Sequence, residues 1–419
     1  MTSEIILMSQ FTSIFQGHQI IFLLQLLLII SVAKLVGFMM NKIGQPGVIG
    51  EIAAGIILGP SIMGGVFPDF SAFIFPEQSL IGLQSLSQIG LILFMFIVGL
   101  ELNLAELKGE MKSVLIISSA SIFFPFVLGM IAAFYLFDLF PPIGHKFSSF
   151  SLFMGISFCI TAFPVLARII LERKMQNKKV GYLSLSCAAI NDCAAWFILS
   201  VVLAYIKTEN YKEALIKLIF IIIYLIFMLF VIKPFVKKVY MYIENYFTIV
   251  MIAILFSSII TEIMGIHALF GAFITGLILS DLKFDKSEMI KKIHDISIII
   301  FMPVFFALSG LRTSIGLLNN GNLWVIFLII LLIATFGKLV SSSLASKFSG
   351  LNWYDSISIG ILMNTRGLIE LIILNIGYDL GLISPALFTI MVLMALTTTV
   401  MTGPLLMLTD KIKSVKANR

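Results

Sequence analysis

The sequence predicts an all-α polytopic membrane protein, with about 13 transmembrane helices forming two inverted six-helix repeats and two broken crossing helices. Three observations lead there. First, 59% of the 419 residues are hydrophobic, only 12% are charged, and the mean hydropathy is +1.09. A soluble globular domain carries about 25% charged residues, so this chain could not cover a water-facing surface. Second, the apolar residues fall into stretches of roughly 20, the length that crosses about 30 Å of hydrocarbon. Third, segments seven spans apart look alike. A cytosolic enzyme, a disordered chain and a nucleic-acid-binding protein are thereby excluded. The net charge of +6 lies in short loops and reports topology, not an acidic partner.

The spans follow in order. Met1 to Gln16 holds no Lys or Arg, and the first apolar stretch runs to about Met40. A secretory signal needs a basic start and a shorter apolar core, so this stretch reads as a retained membrane helix. Cutting at charged and Gly/Pro/Asn-rich breaks places spans at 17–40, 46–63, 79–104, 111–136, 147–171, 179–206, 213–236, 245–263, 266–280, 293–312, 322–346, 355–378 and 385–409. Gly265 is the sole break between the eighth and ninth, which leaves twelve spans as the alternative count. Cys159, Cys187 and Cys193 all lie inside apolar segments, without CxxC spacing, which argues against a disulfide framework or a metal site.

Lys and Arg near span ends favour the cytoplasm. Loops after odd-numbered spans hold 20 of them; those after even-numbered spans, with the N-terminal tail, hold 5. The bias predicts an outside N-terminus, a cytoplasmic C-terminus and an odd number of spans.

Gly50-Glu-Ile-Ala-Ala-Gly55-Ile-Ile-Leu in span 2 is echoed by Gly271-Ala-Phe-Ile-Thr-Gly276-Leu-Ile-Leu in span 9, and Gly99-Leu100-Glu101 by Gly310-Leu311-Arg312. An offset of seven spans makes the two copies face opposite ways. Residues 1–206 then form one repeat, 213–236 a linker helix and 245–410 the second repeat, all in a single transporter domain. Inverted repeats mark transporters, whose sites lie near the midplane on interrupted helices. Span 5 carries Thr161 and Pro164 in its middle, and span 12, seven on, carries Asn364-Thr365-Arg366-Gly367. Unwound backbone is tolerated at membrane depth only where protein buries it or a polar cavity wets it.

Asp192 is the only charged residue between Gly181 and Ile206. A carboxylate near the bilayer centre costs about 2.5–3.5 kcal/mol on insertion scales, and intramembrane acids mark ion or proton pathways. Asp192 is therefore the candidate site for a monovalent cation or a proton. Asn191 offers an amide oxygen beside it and Thr161 a hydroxyl at the break, the oxygen ligands that hard cations prefer. Lys338, in an otherwise uncharged run, either neutralises Asp192 or clamps the C-terminal carbonyls of a broken helix. Arg366 and Glu370, four apart, face one another and read as a structural brace. Glu262, His267, Glu51 and Glu101, near span ends, are not candidate ligands. The basic cluster of Arg173, Lys174, Lys178 and Lys179 is solvated loop.

Five segments together resemble the monovalent cation:proton antiporters, in the branch of the plant CHX exchangers and the bacterial Kef- and Nap-type proteins. They are Ile160-Thr161-Ala-Phe-Pro164-Val-Leu-Ala-Arg168, Ala189-Ile190-Asn191-Asp192-Cys-Ala-Ala-Trp196, Gly265-Ile-His267-Ala-Leu-Phe-Gly271, Met302-Pro-Val-Phe-Phe-Ala-Leu-Ser-Gly310-Leu-Arg312 and Met363-Asn364-Thr365-Arg366-Gly367-Leu-Ile-Glu370. They run in order over nearly the whole chain. The resemblance implies a homodimer in which a core domain slides against a dimerisation domain. It implies Asp192 as the residue that binds cation or proton, with Asn191 and Thr161 beside it, Lys338 as the basic residue of the core, and Arg366 with Glu370 as the brace. Some relatives carry two adjacent acids where this chain has Asn191-Asp192, and one acid favours electroneutral exchange. Many relatives append a soluble nucleotide-binding domain; only about ten residues follow span 13 here, so regulation of that kind is not expected.

The expectation is thus a secondary antiporter that exchanges Na⁺ or K⁺ for H⁺ by alternating access, without enzymatic activity, cofactor or nucleic-acid partner. The rivals are a sodium-coupled symporter of an organic anion and a cation channel or ion-gated sensor. The abundance of Ile, Lys and Asn points to an AT-rich genome and a bacterial inner membrane.

Overall fold

A computed structural model describes residues 18–76, 79–101, 110–175, 178–208, 210–239, 246–264, 267–280, 286–319 and 321–417. Gly265 and the Met1–Gln16 tail lie outside them. Among the described residues there is helix and no strand. Among the described residues ten helices are long and apolar enough to cross a membrane, and three shorter apolar ones, Phe147–Cys159, Phe247–Ile263 and Ala268–Leu279, make thirteen, the number expected.

The helices run α1 (His18–Lys42), α2 (Gly47–Leu58), α3 (Met63–Val66), α4 (Pro68–Ile74), α5 (Leu80–Glu101), α6 (Met111–Leu139), α7 (Phe147–Cys159), α8 (Phe163–Glu172), α9 (Lys179–Thr208) and α10 (Tyr211–Phe227). A π turn over Met228–Ile232 leads into α11 (Lys233–Val239), followed by α12 (Tyr246–Ile263), α13 (Ala268–Leu279) and α14 (Lys286–Ile296). Then come α15 (Met302–Leu311), α16 (Leu323–Phe348), α17 (Trp353–Met363), α18 (Leu368–Asp379) and α19 (Pro385–Ala417). The short α3 and α4 replace an expected loop. Pro68 opens α4 at a first-turn position where its missing N–H costs nothing. α14 and α19 overrun the apolar spans into charged sequence, because a helix leaving the bilayer has no reason to stop at its surface.

Two compact units divide the chain, Met1–Leu91 with Lys291–Gly316, and Ile92–Ile290 with Leu317–Arg419. In the first, Ile29, Leu58, Leu83, Val304, Ala307 and Leu308 form the core. Small residues let the backbones of α2 and its neighbours meet: a Cβ on Gly50 would strike Gly37 of α1, and one on Gly55 would strike Ala307 of α15. In a membrane this close van der Waals approach is what holds helices together.

The second unit repeats the device. A Cβ on Gly271 would meet the Ser257 carbonyl of α12, and one on Gly276 the Phe96 carbonyl of α5. In span terms, span 2 packs on spans 1 and 10, and span 9 packs on spans 8 and 3. A shift of seven maps one set onto the other, so the glycine echo has a physical cause.

Both expected interruptions are present, one between α7 and α8 and one between α17 and α18. The first falls on Thr161, just ahead of Pro164. The unwound residues are Ile160, Thr161 and Ala162, and Pro164 sits in the first turn of α8, where it starts a helix instead of kinking one.

Candidate ion-binding site

All residues of the site belong to the second unit. The two breaks are joined main chain to main chain, the Ala162 N–H donating to the Thr365 carbonyl at 3.0 Å. Each break also caps the other's helix. The last carbonyls of a helix have no intrahelical partner. The Thr161 hydroxyl donates to the Met363 carbonyl that ends α17, at 2.9 Å. Arg366 donates through Nη1 to the Ser157 carbonyl at 3.0 Å and through Nη2 to the Phe158 carbonyl at 2.7 Å, both in the last turn of α7. Arg366 Nη1 also pairs with Glu370 Oε1 at 3.1 Å, both side chains fully buried. Its main-chain N–H and carbonyl are both held by the Thr399 hydroxyl of α19, at 3.1 and 2.6 Å. Glu370 lies in the first turn of α18, where a carboxylate suits the positive end of the helix dipole.

Asp192, in α9, is fully buried. Neither carboxylate oxygen has a hydrogen-bond partner. The main-chain N–H of Phe163, at the N-terminus of α8, is directed toward the carboxylate without closing a hydrogen bond. Among the described residues Lys338 makes no hydrogen bond to Asp192, although its charge acts on the carboxylate. Its Nζ donates to the Ser121 carbonyl of α6 at 2.9 Å and to Thr161 Oγ1 at 2.7 Å, and the clamp on a broken helix is made by Arg366.

The hydroxyl protons decide how Asn191 is oriented. Ser121 Oγ donates to the Ser118 carbonyl at 3.0 Å, and Thr161 Oγ1 to the Met363 carbonyl. A hydroxyl has one proton, so toward Asn191 both groups can only accept. Asn191 therefore turns its amide Nδ2 to them, at 2.7 Å from Ser121 Oγ and 3.4 Å from Thr161 Oγ1. Its Oδ1 is left without a partner. Three buried oxygens, two on Asp192 and one on Asn191, are thus open on neighbouring residues, the chemistry a hard monovalent cation accepts.

The structure therefore brings Thr161, Asn191 and Lys338 into one hydrogen-bonded cluster with Asp192 adjacent in sequence to Asn191, and Arg366 and Glu370 into a second. Glu262 accepts the Ala268 N–H at 2.8 Å and His267 caps α13, while Glu51 lies in α2 and Glu101 closes α5. Sequence reasoning missed Ser121 and Thr399. A lone hydroxyl in an apolar span carries no signal of its own, though Ser121 stands four residues before Pro125.

Comparison with known proteins agrees with this architecture. A model of the transmembrane region of the sodium/hydrogen exchanger family matches residues 27–408. The chain is 40% identical over 397 residues to the Na⁺/H⁺ antiporter NhaS4 of Synechocystis, covering 92% of this chain and 96% of that one. It is 37% identical to cation/H⁺ antiporter 17 of Arabidopsis thaliana and 34% identical to K⁺/H⁺ antiporter 1 of Saccharomyces cerevisiae, covering 92% of this chain in each case. It spans only about half the length of these two, 48% and 46%. In fold it is similar to the solved sodium proton antiporter MjNhaP1 of Methanocaldococcus jannaschii, with a TM-score of 0.70 at 16% identity over 94% of this chain and 99% of that one.

Proposed function

We propose that this chain, which belongs to the sodium/hydrogen exchanger family, exchanges a monovalent cation, Na⁺ or K⁺, for H⁺ across a membrane, with Asp192 as the residue where the two compete. The observation that carries this reading is the buried carboxylate without a hydrogen bond. A bare charge in a low-dielectric interior is costly unless it is paired. A proton relieves that cost in one way and a cation in the other, and a site that takes either but not both at once is an exchanger under alternating access. Asn191 Oδ1 supplies a second oxygen to the cation, and the N-terminus of α8 stabilises the anion between occupants. Thr161 and Lys338 keep the break shaped around it, and the Arg366–Glu370 pair braces the crossing.

One acid at the site supports electroneutral exchange, one cation for one proton. The loop asymmetry of Lys and Arg supports an outside N-terminus and a cytoplasmic C-terminus, in an inner membrane. The family resemblance supports a homodimer with a sliding core, and the seven-span offset supports repeats over 1–206 and 245–410 joined by 213–236.

Purified protein in liposomes loaded with a pH-sensitive dye tests the reading. Pulses of Na⁺, K⁺ and Li⁺ against a proton gradient are expected to move protons for at least one of the first two. Cation flux carrying current with no proton movement would overturn it in favour of a channel.

A further inference from the structure

The helix that carries Ser121 contains Pro125, four residues on. In an α-helix the carbonyl of residue 121 would accept the N–H of residue 125, and proline has none. That carbonyl is the one that accepts Lys338 Nζ at 2.9 Å, deep in the protein. The neighbouring helix is shaped to deliver the lysine there. Gly337, immediately before Lys338, lies against Pro125, with an added Cβ 3.6 Å from the Pro125 Cα and 2.8 Å from a methyl of Leu128. With only a hydrogen at 337, α16 lies against α6 one turn from the free carbonyl, and an added methyl would press only on the flexible end of Leu128. Meanwhile the hydroxyl of Ser121 takes the Asn191 amide. One residue thus holds two members of the site, Lys338 by its main chain and Asn191 by its side chain.

From this geometry we infer that Ser121, with Pro125, is a positioning residue of the exchange site. Its hydroxyl keeps the Asn191 oxygen turned outward as a cation ligand, and its proline-released carbonyl moors the Lys338 ammonium on α6 and away from Asp192. The inference rests on the antiport reading above and adds to it two residues on a helix with no part in the crossing. It also explains why the carboxylate stays open although a lysine belongs to the same core. The ammonium already has two acceptors, the Ser121 carbonyl and Thr161 Oγ1.

The test compares cation half-saturation with maximal rate in dye-loaded liposomes. Ser121→Ala removes the acceptor that orients Asn191 while leaving the carbonyl in place. Half-saturation is expected to rise about five- to tenfold, the value of one buried hydrogen bond, with maximal rate held within about twofold. Ser121→Thr, which keeps the hydroxyl, is expected to restore the wild-type value, and Ser121→Ala is expected to add nothing in an Asn191→Ala background. An unchanged half-saturation, or an equal penalty in the Ala and Thr variants, would overturn the inference. Should Ser121→Ala fail to fold, Pro125→Ala decides: it supplies the missing N–H, competes for the carbonyl and is expected to raise half-saturation about two- to fourfold. No change in that variant overturns the mooring. Wild-type protein that moves no protons would instead sink the antiport reading itself, so the two failures are distinguishable.

Discussion

The core holds two buried charge clusters that differ in how completely their groups are used. Arg366 reaches two main-chain carbonyls and Glu370, and its own backbone is fixed by Thr399. Asp192 has no hydrogen bond to either oxygen. Both clusters contain carboxylates fully shielded from solvent, so burial alone does not separate architecture from function. Open valence does. A guanidinium cannot lose its proton, and its two terminal nitrogens donate to fixed carbonyls, which suits it to holding two broken helices together. A carboxylate with both oxygens open can change partners, and an exchanger needs a residue of that kind.

The sharpest way to break that contrast is to remove the exchangeable charge. Asp192→Asn keeps the shape and deletes the group that proton and cation share. On the proposed reading, cation-driven proton flux falls at least about a hundredfold, beyond the loss of any single neutral hydrogen bond. The variant should purify and melt like the wild type, because an open carboxylate contributes nothing favourable to the fold. Retained exchange would move the site elsewhere.

The brace should respond in the opposite way. Arg366→Ala leaves Glu370 buried without its partner and frees the Ser157 and Phe158 carbonyls. Stability is expected to drop by about 3–5 kcal/mol, the cost of breaking a buried pair from one side, read as a lower thermal midpoint and poor recovery in detergent. Exchange per folded molecule should change far less than in Asp192→Asn. If Arg366→Ala melted like the wild type and lost only exchange, the contrast between the two clusters would be wrong.

The sequence exposes most of this, for reasons that can be located. Spans are legible because hydrocarbon admits little but apolar side chains, and Asp192 stands out because nothing else in α9 between Gly181 and Ile206 is charged. The breaks show in Pro164 and Asn364–Gly367, but the chain unwinds just ahead of the proline, because proline is compatible with a helical first turn. The hydrogen-bond acceptors of Lys338 are less legible. Its position in α16 is written in the sequence, yet one of its two acceptors is a main-chain carbonyl on another helix, and main-chain groups leave no mark in a side-chain pattern. Ser121 was missed for the same reason. Only the four-residue spacing to Pro125 betrays it, and that spacing becomes meaningful once a donor from another helix is known to be near.

The smallest expected effect comes from a third charged pair, at a position where water reaches both partners. Glu110, just ahead of α6, meets Lys179 at the start of α9 at 2.6 Å and accepts from the Ser113 hydroxyl at 3.2 Å, and its side chain is one-third exposed. The hydrogen bond from Lys179, aided by its charge, holds the Glu110 carboxyl below its ordinary value. A depressed acid adds stability above its unfolded value and loses it as pH falls through the folded one. Glu110→Gln should therefore lower the thermal midpoint slightly near neutral pH, by less than about 2 °C for an exposed pair. The difference from wild type should vanish in acid and shrink in high salt, where screening weakens the pair. A large or salt-insensitive effect would mean that this surface pair behaves like Arg366 and Glu370, and exposure to water would then not be what separates strong braces from weak ones.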